Sequence, residues 1–240
     1  MIVEHVFSKS ARYYDRLYAD KDYAGEVQRL ISLLDIQFDS QMTLLDVACG
    51  TGNHLEHLAK HSRVEGLDIC PELLEIARER LPGVRLHLGD MVDFALGKQF
   101  DIVTCLFSSI GYVRTLGKLK DAIGNMTAHL RPRGVLAIEP WFTPETWHPN
   151  TVHGVYIDEP DLKIARINTS FVKGRVSVFD LHHLVGTPEG TEYLVEHHEL
   201  GLFEVKEMIS VMEEVGLTVK YDADGLTGRG LYIGRKEGGS

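Results

Sequence analysis

At 240 residues, 44% hydrophobic and 25% charged, the chain is long enough for one large α/β domain carrying a small inserted subdomain and can bury a real core. Its formal net charge of −10 argues against a nucleic-acid or membrane-surface binder, because those functions begin from excess Lys and Arg. Three widely separated cysteines (Cys49, Cys70, Cys105) among apolar or small neighbours, no leader pattern and no apolar run of membrane-spanning length describe a soluble, cytoplasmic protein with reduced thiols.

"SARYYDRLYADKDYAGEVQRLISLLDIQF" reads as helical, with Val27, Leu30, Ile31 and Leu34 at three-and-four spacing and an aromatic cluster (Tyr13, Tyr14, Tyr18, Tyr23) ahead of them. From residue 43 strands and helices alternate. "TLLDVA", "RVEGLDI", "VRLHLGD", "FDIVTCLFSS" and "GVLAIEPW" predict strands, the last entered through a turn "RPRG". "NHLEHLAKH", "CPELLEIARERL" and "KLKDAIGNMTAHL" predict the intervening helices. Such a rhythm implies a doubly wound, mostly parallel sheet covered on both faces.

After Trp141 the pattern changes to four antiparallel strands, "VHGVYIDEP", "LKIARINTSFVKG", "RVSVFDLHHLVGTPEG" and "TEYLVEHHELGLF", joined by turns such as Lys173-Gly174 and Pro188-Glu189-Gly190. The helix "EVKEMISVMEEVG" and the strands "LTVKYDA" and "GRGLYIGRK" then close the main sheet, and the tail "EGGS" is expected to fray. The expected organisation is a cofactor-binding domain over 1–141 and 203–236 with an antiparallel β-meander over 142–202.

In an open parallel sheet the first strand-to-helix turn is the usual ligand site. Here it reads "DVACGTG", with small residues Ala48, Gly50 and Gly52 at alternate positions and a carboxylate, Asp46, that would repel pyrophosphate but suit a cation. Asp68 ends the second strand, where an acid can hold a ribose, and Asp90 with Met91 ends the third, where a carboxylate and an apolar side chain can meet adenine. Together they describe a nucleoside cofactor with a cationic end, which S-adenosylmethionine fits.

"LLDVACGTG", "GLDI", "LGDM" and "FDIVTCLFSSIGY" resemble the successive motifs of class I S-adenosylmethionine-dependent methyltransferases. "LLDVACGTGNHLEHL", "FSSIGY", "EPWFTPETW" and "GRGLYIG" look like the dTDP-3-amino-sugar N,N-dimethyltransferases of deoxysugar biosynthesis. The resemblance implies a Rossmann-like sheet with a small antiparallel platform used in dimer formation. It also implies S-adenosylmethionine as cofactor with S-adenosylhomocysteine as product, and Ile69 and Phe107 beside the motif residues in the cofactor site.

Methyl transfer to an amine needs placement and loss of the ammonium proton, so a moderate base or solvent suffices. Tyr112 after the fourth strand is the first candidate for orienting the amine or relaying its proton; the other reading is a tyrosine packed under the loop. Tyr14, in an amino-terminal segment that closes over the cofactor in similar enzymes, is a candidate catalytic and cofactor-binding lid residue, and Tyr18 a weaker one for substrate. Glu139 could bind a sugar hydroxyl or the amine, with Trp141 or Trp147 lining the pocket, or be a strand-end acid before a proline. Arg229, flanked by glycines, suits a diphosphate.

The pairs His182-His183 and His197-His198 cannot each converge on one ion, because neighbours on a strand face opposite ways, so no metal is expected. One histidine of either pair could line the acceptor site, and spacing does not choose which. The rival functions are an O- or C-methyltransferase of another small molecule and a non-catalytic S-adenosylmethionine-binding module; a nucleic-acid or membrane partner is not expected.

Overall fold

The computed structural model describes residues 6–238. The central sheet is built from β1 (Thr43–Val47), β2 (Arg63–Asp68), β3 (Arg85–Leu88), β4 (Phe100–Cys105), β5 (Leu130–Ile138), β10 (Leu217–Asp222) and β11 (Leu231–Lys236), in the order β10-β11-β5-β4-β1-β2-β3. Only β11 runs against its neighbours β5 and β10. Strand order reverses between β2 and β4 on either side of β1, so a crevice opens at the carboxyl ends of β1 and β4.

Period-two alternation assigns each core residue to a face. Leu44 and Ile102 point toward the helices α2 (Tyr23–Leu34), α3 (Asn53–Leu58) and α4 (Pro71–Arg80), meeting Leu30, Leu34, Leu55 and Leu74. Leu45 and Val103 point the other way, onto Leu119, Ile123 and Met126 of α5 (Leu116–Ala128) and Met208 and Met212 of α6 (Val205–Glu214). Each of these fully buried aliphatic side chains contributes roughly 1.5–3 kcal/mol. The expected "RPRG" turn is instead part of β5: Leu130 pairs with Phe100, Val135 with Ile102, and the intervening residues form an irregularity in which Arg133 takes φ +67°. Pro132, which has no N–H to donate, is tolerated at such a bulge.

The second sheet consists of β6 (Val152–Glu159), β7 (Leu162–Lys173), β8 (Val176–Thr187) and β9 (Gly190–Gly201) in sequence order, all antiparallel. The amino-terminal region is two helices, not one: α1 (Ala11–Leu17) stops before a turn, and α2 starts at Tyr23, where the Asp22 carboxylate accepts from Gly25 N. α1 packs Tyr13 and Leu17 on Ile164 and Val185 of the second sheet. Of the tail "EGGS" that is expected to fray, Glu237 and Gly238 follow β11 without regular structure, and Gly239 and Ser240 lie outside the described residues. The three cysteines are free and buried, and no described helix is long and apolar enough to cross a membrane.

α1 is tied to both sheets. At its start, Glu196 on β9 accepts from Ser10 Oγ at 2.6 Å and from the backbone N–H groups of Ser10 and Lys9 at 3.1 Å each. Near its end, Asp15 accepts from Thr51 Oγ1 (2.7 Å), Asn53 Nδ2 (2.9 Å) and Arg80 Nη2 (2.5 Å) on the main domain. Charge-assisted bonds of this kind, removed from a buried site, are worth roughly 1.5–3 kcal/mol. Glu196→Ala is therefore expected to speed amide hydrogen exchange in α1 by about 10- to 100-fold while leaving β1 and β4 protected; equal acceleration in the sheet would show that strap and core open together.

Candidate active site

The turn after β1 brings the backbone close to the crevice by using left-handed conformations at Ala48 (φ +61°), Gly50 (φ +55°) and Gly52 (φ +81°). A Cβ on Gly52 would come 3.0 Å from Leu81 Cδ1, and Ala48 accepts a conformation that disfavours side chains. Asp68 clasps this turn: Oδ2 accepts from Gly50 N at 2.7 Å and Oδ1 from Cys70 N at 2.8 Å. One carboxylate thus fixes both the glycine turn and the start of α4.

Two adjoining cavities continue from there. One of about 410 Å³ is lined by Phe7, Tyr14, Ala48, Gly50, Asp68, Ile69, Met91 and Tyr112. It adjoins a recess of about 120 Å³ bounded by Asp68, Ile69, Asp90, Met91 and Val92, where Asp90 Oδ1 also accepts from Val92 N at 3.1 Å. On the other side of the turn, Asp46, Ala48, Gly50, Thr51 and Phe107 border a small cleft. The sequence-derived cofactor residues Tyr14, Asp46, Ala48, Gly50, Asp68, Ile69, Asp90, Met91 and Phe107 therefore all border this continuous space, while Gly52 caps α3 behind it.

Asp46 is nearly fully buried, with Thr104 Oγ1 donating to Oδ1 at 2.6 Å, and burial pushes its pKa up to about 6. A buried carboxylate whose ionised form is disfavoured is stabilised by a cationic ligand, so the donor set fits the positive end of S-adenosylmethionine.

The second cavity, about 540 Å³, lies between the main domain and the inner face of the antiparallel sheet. Aromatic side chains dominate it: Tyr18, Phe107, Trp141, Phe142, Trp147 and Phe179. Phe7, Tyr14, Ser109 and Tyr112 line both large cavities and form the partition between them. Two guanidinium groups reach the second cavity, Arg229 and Arg166, and among the described residues no carboxylate lines it.

That arrangement corrects the expectation for Glu139. It is fully buried behind the cavity, accepting from Phe107 N (2.7 Å) and Thr227 Oγ1 (2.5 Å) and lying 3.5 Å from Arg229 Nη2. Phe107 and Ser108 are consecutive left-handed residues (φ +51° and +66°), so Glu139 holds a strained loop in place rather than facing an acceptor. Arg229 then lies over Phe107, Trp141 and Phe142, 5.7–5.9 Å from the ring centres. Trp141 donates Nε1–H to Ser177 Oγ at 2.9 Å.

Tyr112 shares a 2.9 Å hydrogen bond with His198 Nδ1. His198 stacks on Phe179 with planes 4° apart, and burial first and Arg166 second lower its pKa to about 3. Of each histidine pair, His183 and His198 face inward and His182 and His197 outward, as alternation requires. Burial also raises the Tyr14 and Tyr112 phenols well above their usual range, so both are neutral hydrogen-bonding groups. Tyr18 packs on Tyr14 at 4.8 Å and accepts from Arg166 Nη1 at 3.1 Å. Sequence reading left His198 as one of four candidate histidines and did not raise Arg166. Their signal, inward positions on β9 and β7, exists only once strand register is known.

Fold and site together define an S-adenosylmethionine-dependent methyltransferase. A methyltransferase-domain family profile matches residues 44–134. The sequence is 37% identical to the dTDP-3-amino-3,4,6-trideoxy-alpha-D-glucopyranose N,N-dimethyltransferase of Streptomyces venezuelae, covering 93% of this chain and 96% of that one. It is 36% identical to the dTDP-4-amino-2,3,4,6-tetradeoxy-D-glucose N,N-dimethyltransferase of Saccharopolyspora spinosa, over 93% of this chain and 91% of the relative. The S-adenosylmethionine-bound amino pentose methyltransferase of calicheamicin biosynthesis from Micromonospora echinaspora superposes with a TM-score of 0.83 at 36% identity, covering 97% of this chain and 99% of that one. The chain belongs to the family of dTDP-amino-sugar N,N-dimethyltransferases.

Asp46 supplies a signed pH test. Its folded pKa, about 6, lies above the unfolded value, so its ionisation costs stability as pH rises from about 4 through about 6, by on the order of 3 kcal/mol at neutrality. Asp46→Asn is expected to raise the melting temperature of cofactor-free protein by about 6–12 °C at neutral pH, to flatten the change between about pH 4 and 6, and to weaken S-adenosylmethionine binding at least about 10-fold. Calorimetry with and without cofactor checks all three, and an unchanged melting temperature would mean that the carboxylate carries no burial penalty.

Proposed function

We propose that the protein methylates the amino nitrogen of a dTDP-linked 3-amino-deoxysugar twice, by in-line transfer across the Phe7, Tyr14, Ser109 and Tyr112 partition. The observation that carries this reading is the meeting of two cavities at that partition: one lined by the glycine turn and Asp68, where Arg114 is paired with Glu199, and one lined by aromatic rings with Arg166 and Arg229 and no carboxylate among the described residues. Bound S-adenosylmethionine supplies an electrophilic methyl group. The protein supplies placement, which can account for most of the acceleration when the nucleophile is already a good one.

In this reading Tyr112, its ring fixed by His198, accepts from the acceptor N–H and aims the nitrogen lone pair. Tyr14 closes the strap over the cofactor, and Tyr18 and Trp141 flank the sugar. Arg229, held by Glu139, binds the diphosphate. His198 is too weak a base at neutral pH to take a proton from a hydroxyl acceptor, which favours an amine over the oxygen and carbon nucleophiles.

The relatives divide between 3-amino and 4-amino substrates, so both are the substrates to compare. Mass spectrometry of reactions with S-adenosylmethionine is expected to show products one and two methyl masses heavier from the 3-amino sugar. Tyr112→Phe should lower kcat about 10-fold or more with little change in KM, whereas Arg229→Met should raise KM about 10-fold. Turnover of the 4-amino sugar alone would move the assigned position, and no turnover of either would remove the amino-sugar reading.

A homodimer is part of the same proposal, supported by the outer face of the antiparallel sheet. Tyr156, Ile167, Leu184 and Tyr193 are exposed there, and the strand pairing Tyr156↔Ala165↔Leu184↔Tyr193 makes them one continuous apolar surface. Wild-type protein is expected to sediment as a dimer and the double variant Tyr156→Glu with Leu184→Glu as a monomer. A wild-type monomer would overturn the assembly.

A further inference from the structure

Two carboxylates that line neither large cavity hold the helix that borders both. Tyr14 and Tyr18, four residues apart, share one face of α1; Tyr14 lines both cavities and Tyr18 the acceptor cavity. Phe7, ahead of the helix, also lines both and packs on Tyr14 with ring centres 5.4 Å apart. Asp15 and Glu196 belong to neither lining, yet each grips α1 from a different body of the protein.

The contacts of α1 are of two kinds. Apolar packing places Tyr13 and Leu17 on Ile164 and Val185 of the antiparallel sheet, and Ala11 on Cys70 and Leu73 at the start of α4. Burial of this kind has no direction and leaves a helix free to rotate or slide by part of a turn. The polar contacts are directional. Glu196, buried on β9, accepts from Ser10 Oγ at 2.6 Å and from the N–H groups of Ser10 and Lys9. Asp15 accepts from Thr51 Oγ1 and Asn53 Nδ2, and the Arg80 side chain that holds Asp15 also donates from Nε to the Thr51 carbonyl at 3.0 Å. Thr51 lies between Gly50 and Gly52, so the turn that borders the cofactor cavity and the helix that borders the acceptor cavity are fixed to one another. The ion pairs of Arg12 with Glu192 and Arg16 with Glu159 are largely exposed and add little.

We infer that Glu196 and Asp15 are positioning residues whose shared task is to hold α1 in the one placement that both ligands need, so that loosening either carboxylate makes binding of cofactor and acceptor cooperative. This rests on the reading of the two cavities given above. A ligand in either cavity meets Tyr14 only when α1 sits in its tethered placement, so each ligand favours that placement over a displaced one. While the tethers hold the helix by themselves, the ligands bind nearly independently. Once a tether is lost, the first ligand must restore the placement and the second binds to a helix already restored.

The test is calorimetric titration of the full chain with S-adenosylhomocysteine and a dTDP-3-amino sugar, each alone and with the other at saturation; the pair lacks a transferable methyl group, so no turnover intervenes. Glu196→Ala and Asp15→Ala are each expected to bind either ligand alone about 10-fold more weakly than wild type, which corresponds to a tethered fraction of about one tenth. Saturation with the other ligand is expected to return the affinity to within about threefold of wild type. The decisive arms are S-adenosylhomocysteine on Glu196→Ala and the amino sugar on Asp15→Ala, because each carboxylate is anchored in the body that does not carry the main wall of that cavity.

An affinity lowered by the same factor with and without the other ligand would overturn the inference in favour of local damage. Loss confined to the amino sugar in Glu196→Ala and to S-adenosylhomocysteine in Asp15→Ala would overturn it in favour of each carboxylate serving its own side alone, and unchanged affinities in both variants would also overturn it. Melting temperature reports folding, and Glu196→Gln and Asp15→Asn, which keep one acceptor oxygen, replace an alanine variant that does not fold. Wild type that binds both ligands, with variants that show no restoration, removes this inference alone; wild type that binds S-adenosylhomocysteine and not the amino sugar removes the amino-sugar reading and this inference with it.

Discussion

The double tether of α1 is the constraint on which the site depends. Glu196 grips the start of the helix from the antiparallel sheet, and Asp15 grips the main domain from near its end, through Thr51, Asn53 and Arg80. These two carboxylates add polar anchors to the apolar packing of Tyr13 and Leu17 on the antiparallel sheet and to the ion pairs of Arg12 with Glu192 and Arg16 with Glu159. With them, Tyr14 and Tyr18 are carried between the two cavities, and Phe7 is placed against Tyr14, Tyr112 and His198. A strap held by a few polar contacts can open at modest cost, which suits a site that must admit both a nucleoside cofactor and a nucleotide sugar.

The acids gather on one side of the partition. Asp46, Asp68 and Asp90 stand on the cofactor side, where Arg114 is paired with Glu199, and Arg166 and Arg229 line the other cavity, which has no carboxylate among the described residues. The net charge of −10 thus conceals a cavity whose described lining carries guanidinium groups and no carboxylate. The same sorting explains the absence of an acid from the described acceptor wall. Glu139, one layer back, stabilises the left-handed residues Phe107 and Ser108 and orients Arg229 without presenting its own charge to the substrate.

The fold was largely legible because its signals are local and repeated. Alternating strand and helix patterns predict a doubly wound sheet. Small residues at 48, 50 and 52 mark the turn, and acids at 46, 68 and 90 fall at strand ends, where a parallel sheet gathers its ligands. The four antiparallel strands were also readable, because glycine-containing turns separate runs rich in β-branched and aromatic residues. Reading failed at "RPRG", where a Pro and a Gly that locally favour a turn are held in the strand by pairing on both sides of the bulge.

By itself the sequence determined the doubly wound sheet, the antiparallel strands after it and the glycine turn, since each is written in periodicity or in neighbouring residues, and its motifs carried the resemblance to methyltransferases. Only the tertiary structure decided that Glu139 props a loop, that His198 and not His197 meets Tyr112, and that Arg166 reaches the aromatic cavity. Those facts depend on strand register, because a shift of one residue exchanges the two faces of a sheet. They depend equally on the crossing of α1 between the sheets, which brings residues more than 140 positions apart, Tyr18 and Arg166, within one hydrogen bond.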